Sequence, residues 1–190
     1  MELSYKRLSS ETWNDFEKLF LKHRGVRGGC WCTFYTCFSN EFDKMAKEDR
    51  RVYHKNLCFD GKADGVIVYC ENQPVGWCQF GKPDIVKRFD RGRDYSKLAE
   101  EGLEQPDWRI SCIFTDKNFR KQGIGHYAAE AALSCIENSG GGLVEVFPFD
   151  LTYKGITSMQ HNGSVALFKE FGFKEISRLG KNTILMYKRV

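Results

Sequence analysis

The 190-residue chain contains no apolar run approaching the roughly 20 residues that a membrane-spanning helix requires. Met1-Glu2-Leu3-Ser4-Tyr5-Lys6 lacks both the charged start and the apolar core of a signal peptide, so the expected location is cytoplasmic, with no membrane partner. No block of Lys or Arg stands out, and the net charge is only +4, which gives no basis for a nucleic-acid-binding stripe. There is no internal repeat and no low-complexity tract. Paired cysteine knuckles are absent as well. Cys30-Trp31-Cys32, with Cys37 and His23 nearby, has no second pair to complete a structural zinc site, and no metal is expected.

What is present describes one ordinary domain. The 42% hydrophobic and 14% aromatic content excludes a disordered polymer, and residues 1–190 are enough for a single core. The eight cysteines are scattered through expected strands and helices, which suits buried reduced thiols better than a disulfide framework.

Periodicity then gives the elements. Glu2–Arg7 alternates weakly as a first strand. Trp13, Phe16, Leu19 and Phe20 form the apolar stripe of a helix over Glu11–Leu21, with Ser9 or Ser10 as its cap. Gly25–Gly29 breaks that helix, and the aromatic-rich Cys30–Tyr35 follows. A second helix, capped by Ser39 or Asn40, is expected over Glu41–Leu57. Val66–Glu71 and Val75–Phe80 read as an antiparallel pair of strands around Asn72-Gln73-Pro74. Asp84–Pro106 reads as a polar surface excursion with a helical turn near Tyr95–Glu101. Past Asn138 come a strand over Leu143–Phe147, a helix over Asn162–Phe173, and strands near Lys174–Arg178 and Thr183–Lys188.

The stretch with the clearest chemical meaning is Arg109–Asn138. An apolar strand, Arg109–Thr115, leads through a polar turn into Arg120-Lys121-Gln122-Gly123-Ile124-Gly125, and then into an alanine-rich helix closed by Ser139–Gly142. Glycines keep side chains away from a ligand, the opening amides of a helix have no partner within it, and Arg120 and Lys121 add positive charge. Such a loop suits a phosphate group. Gly123–Ala128 also fits the dinucleotide fingerprint G-x-G-x-x-A, with Glu145 near the ribose-binding position. Against that reading, Asp116–Gln122 separates the glycines from the strand, and too little chain remains for a parallel sheet. A helix start with no ligand is the plainer alternative.

Arg120, Gly123 and Gly125 resemble the R/Q-x-x-G-x-G/A pyrophosphate motif of the GNAT superfamily of N-acetyltransferases, and Gly172-Phe173 resembles the ending of that family's last helix. The element order also matches: strand, two helices, three strands, helix, strand, helix, two strands. The resemblance implies an α/β (α+β) fold with a mixed central sheet of about seven strands and helices on both faces. It implies acetyl-CoA as cosubstrate and direct transfer of its acetyl group to a primary amine of a small molecule or peptide. Homodimers are common among such proteins. By position, the backbone of Ile113, Phe114 and Thr115 would meet the pantetheine arm, although their side chains also suit a core. Arg120, Lys121, Gln122, Gly123, Gly125, His126 and Asn162 would contact the remainder of the cosubstrate, with Asn162 offset by one residue from the family's asparagine.

For catalysis the chain offers Glu145 as a base, a carboxylate among apolar strand neighbours where burial raises its pKa; pairing with a structural Arg or Lys is the alternative. The family's thiolate-protonating tyrosine is replaced by Phe168. Protonation is then left to solvent or to Tyr127, Tyr153, His161 or Ser164, or the thiolate leaves unprotonated. That replacement also opens the alternative of a non-catalytic acyl-CoA-binding sensor. Trp31, Phe34 and Tyr35 would shape the acceptor pocket, or stand as core aromatics. Nothing beside Cys32 marks it as an activated nucleophile.

Overall fold

A computed structural model describes residues 2–152 and 161–190. In chain order its regular elements are β1 (Leu3–Arg7), α1 (Trp13–Lys22), α2 (Ser39–Lys44), α3 (Lys47–Phe59), β2 (Asp64–Cys70), β3 (Gln73–Gly81), α4 (Arg93–Glu100), β4 (Trp108–Thr115), α5 (Ile124–Asn138), β5 (Leu143–Val146), α6 (Val165–Glu170), β6 (Lys174–Leu179) and β7 (Thr183–Arg189). Tyr153, named above as a candidate acid, lies outside the described residues.

The strands form one seven-stranded sheet in the order β1-β2-β3-β4-β5-β7-β6. Every neighbouring pair is antiparallel except β4 with β5. Alternation along the strands divides the core. Val66, Val68 and Cys78 face α5, where Ala128, Ala129, Ala132 and Ile136 let the helix approach closely. Ile67, Trp77 and Phe114 face the opposite way, onto Trp13, Phe16 and Phe20 of α1. A third cluster, with Tyr95, Phe147, Leu185 and Tyr187, lies beneath α4. Burying these faces is the main source of stability.

Four expectations need correction. The helix expected over Glu41–Leu57 is two helices, because Met45 and Ala46 are extended. The Arg50 side chain secures this break: its guanidinium donates to the Phe42 carbonyl at 3.2 Å and lies 3.8 Å from the Phe42 ring. The excursion before β4 holds a complete helix, α4, pinned by buried Tyr95. α1 starts at Trp13, with Thr12 and neither serine at its N-cap. The last helix begins at Val165, where the Ser164 hydroxyl accepts the Leu167 amide at 3.2 Å. Before it Asn162 lies in a turn, Gly163 is left-handed at φ 74°, and Ser164 is extended beside Phe149, whose amide donates to the Gly163 carbonyl at 3.1 Å.

Candidate active site

The site is built around an irregularity in β4. Gln79 and Phe80 are consecutive on β3 but face Cys112 and Ile110, so Ser111 is an extra residue, a β-bulge. Its hydroxyl donates to Gln79 Oε1 at 2.9 Å, which satisfies two buried polar groups. The bulge has two effects. It resets the alternation, directing Cys112 and Phe114 to the α1 side and Ile113 to the α5 side. It also coincides with the end of parallel pairing, since β5 meets β4 only over Trp108–Ile110. Beyond that point the two strands part. Ile113 and Thr115 turn their backbone groups away from β3, toward the gap.

The gap is partly closed from within, because the Ile113 amide donates to the His161 carbonyl. Of the three backbone positions expected to face a ligand, Ile113 is therefore engaged, Phe114 faces β3, and Thr115 remains turned outward at the strand end.

The glycine loop stands beside this end of β4. Gly123 caps α5 with φ +79°, a left-handed conformation that suits glycine, and Lys121 before it is also left-handed at φ 61°. A Cβ on Gly125 would lie 3.6 Å from Ile113 and 3.7 Å from Thr115, so this glycine opens onto the parted strands. The first bond of the helix runs from the Tyr127 amide to the Gly123 carbonyl at 3.0 Å, which leaves the earlier amides free to meet an anion. Arg120, Lys121 and Gln122 are exposed around them. Among the described residues neither Arg120 nor Lys121 has an ion-pair partner. His126 sits one turn in, 3.6 Å from Glu170 and 4.5 Å from the Phe171 ring. These groups fit a pyrophosphate.

On the other side of β4 a cavity of about 250 Å³ opens between α1 and the sheet, lined by Phe34, Tyr35, Cys112 and His161 among others. The Tyr35 hydroxyl donates to Asn162 Oδ1 and so links the first loop to the entry of α6. Burial, with the charge of Arg27 acting in the same direction, pushes the His161 imidazole down to about 4 and keeps it neutral near pH 7. Its Nε2 is buried with no partner among the described residues. Phe168, where the family has tyrosine, is fully buried and packs on Phe173 at 5.2 Å.

Two sequence-derived candidates are placed elsewhere. Trp31 is 4% exposed and stacks on Phe20 with ring centres 5.9 Å apart, so it belongs to the core and not to the cavity wall. Glu145 is not a free carboxylate among apolar side chains. Its cross-strand neighbours are Arg109 and Tyr187, and its oxygens accept from Arg109 Nε at 2.6 Å and the Tyr187 hydroxyl at 2.9 Å. Arg109 continues the network to Asp90, Tyr95 and the Val86 carbonyl. Burial raises the Glu145 carboxyl against the opposing pull of Arg109 and the tyrosines. This is the structural-arginine pairing that the sequence left open. Neither partner was found by sequence reading, because the strand register that brings them together is a property of the sheet.

Cys32 is buried and takes the Trp77 indole N–H at 2.9 Å, and burial holds its thiol well above the ordinary range. His23 lies 3.4 Å from Asp116, away from the cysteines. Sequence reading also passed over Arg27 and Cys112 of the cavity wall. The single charge in the glycine-rich break after α1 was the available signal for Arg27.

The model of the acetyltransferase (GNAT) family matches residues 30–173. The chain belongs to this family, whose cosubstrate is acetyl-CoA. Among curated proteins none matches the chain. Solved structures share the fold over essentially the whole chain. The PaiA N-acetyltransferase of Thermoplasma acidophilum, in complex with coenzyme A, is 10% identical with 100% of both chains covered and a TM-score of 0.55. A mosquito arylalkylamine N-acetyltransferase-like protein, 5b, is 11% identical over 100% of both chains with a TM-score of 0.62. An N-acetyltransferase from Staphylococcus aureus Mu50 is 12% identical, covering 100% of this chain and 98% of that one, with a TM-score of 0.53.

Proposed function

We propose that residues 1–190 form one acetyltransferase domain that transfers the acetyl group of acetyl-CoA directly to a primary amine held between α1 and β4. The observation that carries this reading is the position of bulged β4, with an anion-ready loop at its end and an apolar cavity on its α1 side. In this reading the amides opening α5 bind the pyrophosphate, helped by Arg120, Lys121 and the Gln122 and His126 side chains. Thr115 offers backbone to the pantetheine arm, and Asn162 orients Tyr35. The thioester supplies an activated acyl carbon.

Proton movement is assigned to groups that face the cavity. Neutral His161 has a buried Nε2 with no partner among the described residues, which can accept a hydrogen bond from the neutral amine once its ammonium proton has passed to solvent. Tyr35, whose hydroxyl donates to Asn162 Oδ1 in the resting site, stands in for the hydroxyl missing at Phe168 by turning from that bond to donate to the departing thiolate. Glu145, occupied by Arg109 and Tyr187, holds the sheet in register beneath the site. The buried Phe168 also supports a second reading, a non-catalytic acyl-CoA sensor. The two separate in one assay: both proteins gain thermal stability with acetyl-CoA, but only the enzyme releases CoA thiol when amines are supplied.

A further inference from the structure

The cavity between α1 and β4 has walls of Phe20, Val26, Phe34, Phe42 and three thiols, and among the described residues no carboxylate lines it. Among the described residues its one permanently charged side chain is Arg27. An ammonium entering such a space gives up water, finds no anion and meets a like charge, each of which disfavours it. Arg27 sits on the exposed break after α1 with φ 42° and, among the described residues, takes part in no ion pair. Burial dominates the titration of Cys30, Tyr35 and His161, and the charge of Arg27 acts on all three, so its guanidinium field reaches the cavity interior. The adjoining groove beyond Phe34 and Tyr35 has the same balance. Arg88 and Arg93 line it with a single acid, Asp94, whose Oδ2 takes the Gly180 amide at 2.7 Å.

We infer that the acceptor is an apolar primary amine carrying its own carboxylate, of the class of hydrophobic α-amino acids, with its side chain among the thiols and aromatics and its carboxylate on Arg27. This rests on the acetyltransferase reading of the same site. The amino nitrogen forms the new C–N bond as the thioester C–S bond breaks. Of the two protons that the ammonium loses, one ends on the CoA sulfur and one in solvent, giving an N-acetyl amino acid and CoA thiol. Polyamines and aminoglycosides bring extra positive charge to a wall that is already positive, and lysine side chains of peptides bring no carboxylate beside the amine.

The test compares CoA thiol release with phenylalanine and methionine against 2-phenylethylamine and spermidine, in the wild type and in Arg27→Gln. The expected kcat/KM for phenylalanine exceeds that for 2-phenylethylamine by about tenfold or more, and Arg27→Gln brings the ratio to within about twofold, as the loss of a charge-assisted contact does. A ratio near one in the wild type, or one that Arg27→Gln leaves intact, overturns the inference. Calorimetric binding of 3-phenylpropionate to the CoA-loaded protein separates the two readings. Binding that Arg27→Gln abolishes supports the carboxylate site even where no amine releases thiol, in which case the transferase reading alone fails. No binding and no thiol release overturns the carboxylate site.

Discussion

At the scale of single residues, the two sides of β4 carry different kinds of energy. Arg120 is exposed beside the opening of α5, and in the proposed reading its charge serves binding and not the reacting carbon. Arg120→Ala is expected to raise the KM for acetyl-CoA by about tenfold while kcat stays within about twofold, as steady-state kinetics will show. Tyr35→Phe is expected to do the reverse. Removing one hydroxyl that donates to the leaving group lowers kcat by a factor on the order of ten to a hundred, with the KM for acetyl-CoA unchanged. For Glu145→Gln the account expects a loss of fold stability and not of chemistry. The variant removes the buried one of the two carboxylates that Arg109 pairs with, leaving the half-exposed Asp90, at a cost of about 3 kcal/mol in denaturant unfolding, while turnover per folded molecule is retained. A stable variant with greatly reduced turnover would return the base role to Glu145.

At the scale of elements, the strands and the long helices follow directly from the residues, since Trp13–Phe20 and Ala128–Ile136 each present one unbroken apolar face. Where reading failed, the deciding contact came from elsewhere in the chain. The α2–α3 break has no glycine or proline to announce it and depends on Arg50 reaching back to Phe42 and to the Gly29 carbonyl. The Ser111 bulge sits inside an uninterrupted apolar run, and only its hydrogen bond to Gln79 distinguishes it. Likewise α6 starts late because Phe149 bonds the Gly163 carbonyl and the Val165 amide on either side of extended Ser164. One further element-level feature is the face of α3 that buries His54 among Trp13, Phe16 and Trp77, with neither ring nitrogen partnered among the described residues. Burial pushes this imidazole down to about 3. The unfolded chain takes up its proton near pH 6.5 while the fold resists until about 3, so this contribution is complete above pH 6.5 and is lost as pH falls toward 3. His54→Phe should flatten the acid limb of stability between pH 6.5 and 4, by an amount on the order of 3 kcal/mol at pH 4, measured by urea unfolding across that range.

For the molecule as a whole, the order of elements and the Arg120–Gly125 loop made the family and its cosubstrate legible from residues alone, because both are local in sequence. The α1 side of β4 was less legible. Phe34 and Tyr35 line the cavity, and Arg27, Cys112 and His161 join them only because the bulge and the parting of β4 from β5 bring three distant segments together. The central claim is that this combination transfers acetyl groups, and the most direct measurement is CoA thiol released from acetyl-CoA when a panel of amines and amino acids is supplied. The account predicts amine-dependent thiol release that saturates in acetyl-CoA, together with a rise in melting temperature on adding acetyl-CoA alone. A thermal shift with no thiol release from any amine would contradict it and leave an acyl-CoA sensor in its place.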